Sequence, residues 1–235
     1  MSDETLSNPL NPFASGPIGW YGKLPALGDF LRRNLPEEFL PAWDAWLQSG
    51  MATAAREHGD EWRDDFLRFP VWYFLRTLPA AGEEGGSAGM PDGAFAGMLI
   101  PSADRVGRLY PLTIAFMIPA PLFERMSFTE LESRLEDIET LALAVLNDDN
   151  LQGFEQALDM LPPMRAAGTA APVVAPAALA QQLGRQALLL KLRTCTLFWA
   201  PDAGPVEPLL LAPLPLQADS FCKLVRPLTT PLMAQ

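Results

Sequence analysis

The sequence predicts an α/β fold of the α+β type, with a central mixed, mostly antiparallel sheet flanked by helices. Strand-like segments cluster between residues 66 and 118 instead of alternating regularly with helices, which favours this class over a parallel sheet. The chain of 235 residues is 49% hydrophobic and contains six tryptophans, enough to build a sizeable core. Its charged fraction of 19% is below the usual share of about a quarter, which argues against a disordered chain.

Residues 1–17 contain two Asn-Pro pairs and are predicted to form a flexible N-terminal arm. Residues 18–235 are expected to form one domain. The alternative left open within it is a smaller C-terminal subdomain from about residue 165, because residues 163–176 are rich in Ala and Pro, as linkers are. The stretch 79–93, rich in Gly and Glu, is predicted to be a flexible loop.

The first elements are an edge strand beginning at 18–21 and a helix entered at Pro36. Apolar side chains over 39–47 recur with helical spacing, and proline suits a first helical turn. A second helical stretch is expected from about Ser49. Aromatic and β-branched residues then predict strands over 66–75, with an edge or bulge at Pro70, and over 94–101 and 109–118.

The clearest helix is predicted over residues 128–146, where apolar side chains recur every three or four positions. Ser127 and Glu130 have the spacing of a capping box. Asp148 or Asp149 is expected to cap a shorter helix that ends at two prolines, 162 and 163. The remaining predicted elements are a helix over 176–190, strands over 194–200 and 206–211, and a terminal helix over 219–225.

The net charge of −11 argues against a general nucleic-acid binder and against docking on anionic lipid. A basic protein partner fits this balance better, although two arginine pairs, Arg32 with Arg33 and Arg105 with Arg108, leave room for a local basic patch. The N-terminus lacks a signal-peptide pattern and no segment is long enough to span a membrane, so a cytoplasmic location without membrane insertion is expected. Cys195 and Cys222 lie among apolar residues and are expected to be buried structural cysteines.

Two loops, residues 22–30 and 101–108, combine glycine, proline and both signs of charge, and are the candidate sites. Glycines are expected to permit bends there. A carboxylate in such a loop accepts backbone N–H groups, pairs with a nearby cation or contacts a partner. The candidate residues are Gly22, Lys23, Gly28, Asp29, Ser102, Asp104, Arg105, Gly107 and Arg108.

Catalytic patterns are weak. The Gly22-Lys23 pair fails as a phosphate-binding P-loop, because position 17 is proline and position 24 is leucine. His58, the single histidine, lies on a charged helical face and is expected to be a solvated surface residue. The two cysteines and one histidine lack zinc-ligand spacing. The chemical alternative is a metal-dependent hydrolase or phosphatase-like enzyme that uses Asp29 and Asp104.

Several motifs in order resemble the TagF family of type VI secretion-associated proteins, over about residues 18–160. They are Trp20-Tyr21-Gly22-Lys23-Leu24-Pro25, Gly28-Asp29-Phe30, Trp43 and Trp46, Pro70-Val71-Trp72, Pro101-Ser102-Ala103-Asp104-Arg105-Val106-Gly107-Arg108, and Tyr110-Pro111-Leu112-Thr113.

The resemblance implies an α/β fold and a cytoplasmic, non-enzymatic accessory protein of Gram-negative bacteria. It implies post-translational repression of type VI secretion by binding and sequestering the forkhead-associated scaffold protein. It implies no cofactor and no catalytic residues. A further possibility is that both loops only hold the fold together, and that the interface lies elsewhere.

Overall fold

The computed structural model describes residues 11–25, 29–37, 39–77, 93–148, 150–165, 192–201 and 208–226. Seven strands in these ranges form one sheet in the order β2-β1-β5-β4-β3-β6-β7. They are β1 Gly19–Gly22, β2 Leu31–Arg33, β3 Trp72–Thr77, β4 Gly93–Ile100, β5 Leu112–Pro119, β6 Cys195–Trp199 and β7 Leu209–Pro213. Every neighbouring pair of these strands is antiparallel, so the α/β class is confirmed, while the described sheet is not mixed.

Helices cover both faces of the sheet. The described helices are α1 Leu40–His58, α2 Trp62–Arg68, α3 Ala120–Phe123, α4 Phe128–Asp148, α5 Leu151–Met160 and α6 Ala218–Val225. A 3-10 turn, Gly59–Glu61, joins α1 to α2. No helix in the described ranges is both long and apolar enough to cross a bilayer.

The central strands are buried on both faces, and alternate side chains therefore enter two separate cores. Met98 and Phe116 pack on the face covered by α4 and α5. Phe74 and Phe198 pack on the opposite face, which is covered by α1 and α6. Each fully buried side chain of this size contributes about 1.5–3 kcal/mol before conformational entropy is subtracted.

Tryptophans fix α1 against the sheet and against α6. Trp43 is fully buried and its Nε1 donates to Thr113 Oγ1 of β5 at 3.0 Å. Trp46 Nε1 donates to Ser220 Oγ of α6 at 3.1 Å. Because these indole N–H groups are satisfied inside the core, burial of the large rings carries no unpaired donor. The position of α1 relative to the start of β5 is thereby fixed.

Several predicted boundaries were wrong. The helix predicted to begin at Pro36 begins at Leu40, with Pro41 in its first turn, and continues through Ser49 to His58. Gly50 within it lets Phe221 of α6 approach α1 closely. A Cβ at Gly50 would lie 2.4 Å from the Phe221 Cβ.

The strand predicted over 66–75 is also displaced. Phe66 lies on α2, whose first turn carries Asp64 and Asp65, where a helix dipole favours acidic groups. Pro70 precedes β3 and makes neither an edge nor a bulge in it. The predicted edge strand, β1, is internal, because β2 pairs with it on its outer side.

One predicted helix cap is confirmed and the other is wrong. Glu130 N donates to Ser127 Oγ at 3.1 Å, and Ser127 N donates to Glu130 Oε2 at 2.6 Å, so the capping box of α4 is confirmed. The cap of α5 is Asn150, whose Oδ1 accepts from Gly153 N at 2.9 Å. Asp148 is instead the last residue of α4, and Asp149 lies outside the described residues.

Outside these elements, the predicted arm is fixed near its end. Ser15 N donates to Met164 O at 2.9 Å and Gly16 N to Met117 O at 2.8 Å, so the arm does not extend as a free segment to residue 17.

Cys195 and Cys222 are free and buried, as predicted. The loop predicted at 79–93, apart from the first residue of β4, lies outside the described residues, as do the helix at 176–190 and most of the linker at 163–176.

Strand register places both candidate loops at the same end of the sheet. The first loop leaves β1 after Gly22, and the adjacent Tyr21 pairs with Thr113 near the start of β5. The second loop connects β4 to β5, where Ile100 and Leu112 pair with each other. The antiparallel arrangement therefore brings the two loops into contact. One hydrogen-bonded pair across them, Ser102 and Lys23, is separated by 79 residues in sequence.

Candidate interaction site

The two loops are joined by a hydrogen bond and an ion pair. Ser102 Oγ donates to the Lys23 carbonyl at 2.8 Å. Lys23 Nζ lies 3.1 Å from Asp104 Oδ2. Ser102, Lys23 and Asp104 are all buried, although the loops themselves are at the surface. Burial strengthens an ion pair but also makes the loss of either partner damaging, because one charge is then left buried and unpaired.

Asp104 also organises its own loop. Its Oδ1 accepts from the backbone N–H groups of Val106 at 3.1 Å and Arg108 at 2.9 Å, and its Oδ2 accepts from Arg108 Nε at 2.6 Å. The carboxylate is 0% exposed. Burial alone opposes ionisation, but the backbone and side-chain hydrogen bonds of Arg108 and the nearby Lys23 ammonium outweigh it, and the pKa of Asp104 lies well below its usual range.

Backbone bonds close the same loop. Asp104 N donates to Arg108 O at 3.1 Å, and Gly107 N donates to Asp104 O at 2.8 Å. Gly107 has a φ of +81°, which L side chains rarely adopt, so glycine suits the bend. Arg63 Nη1 of α2 donates to Gly107 O at 2.8 Å, which attaches the loop to a helix. The loop conformation is thus specified by side-chain and backbone contacts together.

Three neighbouring side chains project from this closed turn. Arg105, Val106 and Arg108 are exposed, and Val106 retains 69% of its accessible surface. Asp104 and Lys23, which hold the turn, are buried, while Arg105 and Val106 face solvent. Arg108 does both, because its Nε binds Asp104 and its side chain is 60% exposed. The arrangement therefore displays cationic and apolar groups on a rigid backbone.

Phe30 connects the first loop to an aromatic cluster. Its ring lies 4.9 Å from Lys23 Nζ, within cation–π range. It stacks on Tyr21 with centroids 5.9 Å apart and meets Tyr110 edge-on at 4.6 Å. Phe30 remains 44% exposed. Nearly half of the Phe30 surface is therefore accessible in the described part of the chain.

Asp44 of α1 is the residue that sequence reasoning missed. Tyr21 OH donates to Asp44 Oδ1 at 2.7 Å, Tyr110 OH donates to the same oxygen, and Gln48 Nε2 donates to Oδ2 at 2.6 Å. Asp44 is separated from the two tyrosines by 23 and 66 residues, so no local spacing rule joins them. The available signal was an acidic residue directly after Trp43, at the border of the apolar face of α1.

The tyrosine hydroxyls are held protonated by this arrangement. Burial first, and then the hydrogen bond to Asp44, raise the pKa of Tyr21 to about 12. Burial and the same carboxylate also raise the pKa of Tyr110 above its usual value. Both hydroxyls therefore act as hydrogen-bond donors at neutral pH, which anchors the aromatic cluster to α1.

The structure brings most of the predicted site residues together. Gly22, at a φ of +143°, ends β1 beside the loop that holds Lys23. Asp29 is exposed next to Phe30, and no ion pair within the described ranges joins it to Lys23, Arg105 or Arg108. Gly28 lies outside the described residues.

The metal-dependent hydrolase alternative has no support. Both oxygens of Asp104 are engaged by N–H groups and two cations, which is an unfavourable environment for a metal ion. In the described part of the chain, no group of three or more His, Cys, Asp or Glu residues is arranged to hold a metal.

His58 is not the solvated surface residue that the sequence predicted. Its side chain is 11% exposed, and its Nδ1 lies 2.5 Å from Asp65 Oδ2 of α2. The charged helical face misled the prediction, because α2 folds back against the end of α1. His58 joins these helices and lacks a nucleophile among its described contacts.

A cavity of about 260 Å³ lies apart from the candidate site, between the 15–18 segment, Arg134 of α4 and Asp159 of α5. None of the predicted site residues that the structure describes lines it.

Asp104→Asn is expected to lower the free energy of unfolding at pH 7, because the amide removes the charge between Lys23 and Arg108. The pKa of Asp104 is lowered by folding, so its stabilising effect is fully present above the unfolded-state value of about 3.9. This stabilisation is lost as the pH falls from about 3.9 through the lower pKa that Asp104 has in the folded state. The stability difference between wild type and variant, measured by urea unfolding, should therefore be smaller at pH 3 than at pH 7.

Asp219→Asn is the matched control, because Asp219 forms an exposed i,i+4 pair with Lys223 and should have little effect at either pH. Equal unfolding midpoints for Asp104→Asn and wild type at pH 7 would contradict the structural role of Asp104.

Tyr110→Phe is expected to destabilise the protein by about 1–3 kcal/mol, because it removes a buried donor to the side chain of Asp44. Gln48→Ala, which removes an exposed donor to the same carboxylate, should cost less because water replaces it. Urea unfolding at pH 7 measures both. A larger effect for Gln48→Ala than for Tyr110→Phe would show that the buried hydroxyl does not anchor the cluster.

Comparison with known proteins agrees with the resemblance read from the motifs. A family model described as the TagF N-terminal domain, type VI secretion system-associated, matches residues 19–161. The crystal structure of PA0076 from Pseudomonas aeruginosa PAO1 is similar to this chain, with a TM-score of 0.66 and 29% identity over 93% of this chain and 99% of that one. No curated protein matches the chain.

The matched segment spans β1 to the end of α5 and contains both loops and Asp44. Because the family model covers more than half of the sequence, the chain belongs to the TagF family of type VI secretion system-associated proteins.

Proposed function

We propose that this protein represses type VI secretion after translation, acting in the cytoplasm as a non-enzymatic accessory protein. It binds and sequesters the forkhead-associated scaffold protein of the secretion system and so keeps it from supporting assembly of the machine. Family membership supports the link to type VI secretion. The scaffold partner and the repression follow from the resemblance to the family.

The observation that carries the proposal is the rigid display of exposed side chains by the two joined loops. Asp104 fixes the turn from within, and Arg105, Val106 and Arg108 project from it. A surface that is already ordered before binding loses little conformational entropy in the complex. This favours a docking role for the loops.

The same contacts support a non-enzymatic role. The Asp104 carboxylate is engaged by Lys23 and Arg108 and is shielded from solvent, so it is not available as a base or a nucleophile. Asp104 is paired with two cations, Lys23 and Arg108, and the Arg108 side chain stays largely exposed. The groups left exposed are suited to contact with another surface.

Arg105→Glu is expected to weaken binding to the purified scaffold by about tenfold or more, because it reverses one exposed charge at the centre of the site. Isothermal titration calorimetry with purified protein and purified scaffold measures the affinity. Folding of the variant is checked by its urea midpoint, which should be unchanged.

Arg193→Glu is the matched control. Arg193 is exposed and precedes β6. The start of β6 lies at the end of the sheet opposite to the two loops, because Thr196 pairs with Arg76, and Arg76 pairs with Phe95 near the start of β4. Absence of binding by the wild-type protein would refute the scaffold partner. Equal losses for both variants would refute the location of the surface.

A further inference from the structure

Val106 has the properties of a binding anchor. It retains 69% of its accessible surface, although its backbone N–H is fixed by the buried Asp104 carboxylate. A β-branched side chain has few rotamers, so little freedom remains to be lost when it enters a pocket. Covering such an exposed apolar side chain with another surface is favourable, because this removes apolar area from water.

Two exposed cations adjoin Val106 at this turn, in contrast to the net charge of −11 of the whole chain. Arg105 is exposed directly beside it. Arg63, also exposed, uses Nη1 to bind Gly107 O of the same turn. The nearby Asp104 is buried and paired, so it does not offset these cations at the surface. At the turn itself these two cations favour a negatively charged group on the partner. The exposed Asp29 and Asp64 are the neighbouring carboxylates in sequence, next to Phe30 and Arg63.

Phe30 is a second partly exposed apolar side chain, and it is connected to Val106 through buried groups. Its ring contacts Lys23, Lys23 pairs with Asp104, and Asp104 binds the Val106 amide, so an unbroken chain of contacts joins Phe30 to Val106. Tyr110 supports the ring from behind. Aromatic side chains of this kind, half exposed and held in place, are common at the centre of interfaces.

We infer that the partner site is an acidic surface with a small apolar pocket, which receives Val106 while its carboxylates face Arg105 and Arg63. The inference rests on the proposed function and adds to it the anchor residue and the chemistry of the partner. The net charge of the chain suggested a basic partner. The local charge of the loops indicates the opposite for this contact.

Two substitutions at one position distinguish an acidic partner site from a basic one. Val106→Asp places a carboxylate against carboxylates and should weaken binding to the purified scaffold by about tenfold or more. Val106→Lys also removes the apolar contact but keeps a compatible charge, so its loss should be several-fold smaller. Met160→Asp is the control, because Met160 is 82% exposed at the end of α5, away from both loops.

Titration calorimetry with the full chain and the scaffold gives these affinities. The inference is overturned when wild type binds and Val106→Asp binds equally well, or when Val106→Lys is the weaker variant. If wild type does not bind the scaffold, the proposed function fails, and a second measurement tests the surface independently.

In that measurement, benzoylphenylalanine replaces Val106 or Met160 in a bacterium that carries the secretion system, and crosslinked peptides are sequenced after irradiation. A crosslink from position 106 to a segment with Asp or Glu beside apolar residues supports the inference. No crosslink from 106, a crosslink to a basic segment, or the same crosslink from 160 overturns it.

Discussion

The rest of the site depends on the neutralisation of one buried carboxylate. Asp104 is shielded from solvent, and a charge in that position is tolerated only when several donors surround it. Lys23 comes from the other loop, Arg108 from the same loop, and two backbone N–H groups complete the set. Because each donor occupies a fixed place relative to Asp104, the need to satisfy this charge determines the conformation of one loop and its position against the other.

A second carboxylate, Asp44, anchors this arrangement to the helical layer. It accepts hydroxyl hydrogen bonds from Tyr21 and Tyr110, which pack around Phe30. Phe30 in turn lies against Lys23. The surface thus rests on α1, and α1 is fixed to β5 by the hydrogen bond of Trp43 to Thr113. Exposed groups at the tip of the turn are supported through these contacts by the main core, which is what a preformed docking surface requires.

Local patterns made much of this structure predictable, and distant contacts made the rest unpredictable. Ser127 and Glu130 are three residues apart, so their capping box could be inferred from spacing. The antiparallel strands and both candidate loops were likewise marked by composition. The contact of Asp44 with Tyr110 depends on strand register and helix placement, which no local pattern contains. His58 was misplaced for the same reason: a charged helical face does not reveal that a following helix covers it. The partner is a separate molecule, so the surface that it presents could not be predicted from this sequence.

Amide hydrogen exchange at single-residue resolution tests most directly whether Asp104 holds the turn in a fixed conformation. In the free wild-type protein, the Val106 and Arg108 amides, though in a surface loop, should exchange much more slowly than in an unstructured peptide, and both should become fast in Asp104→Asn. Wild-type amides that exchange at the unstructured rate would contradict the account, because the loop would then be mobile and no preformed surface would exist.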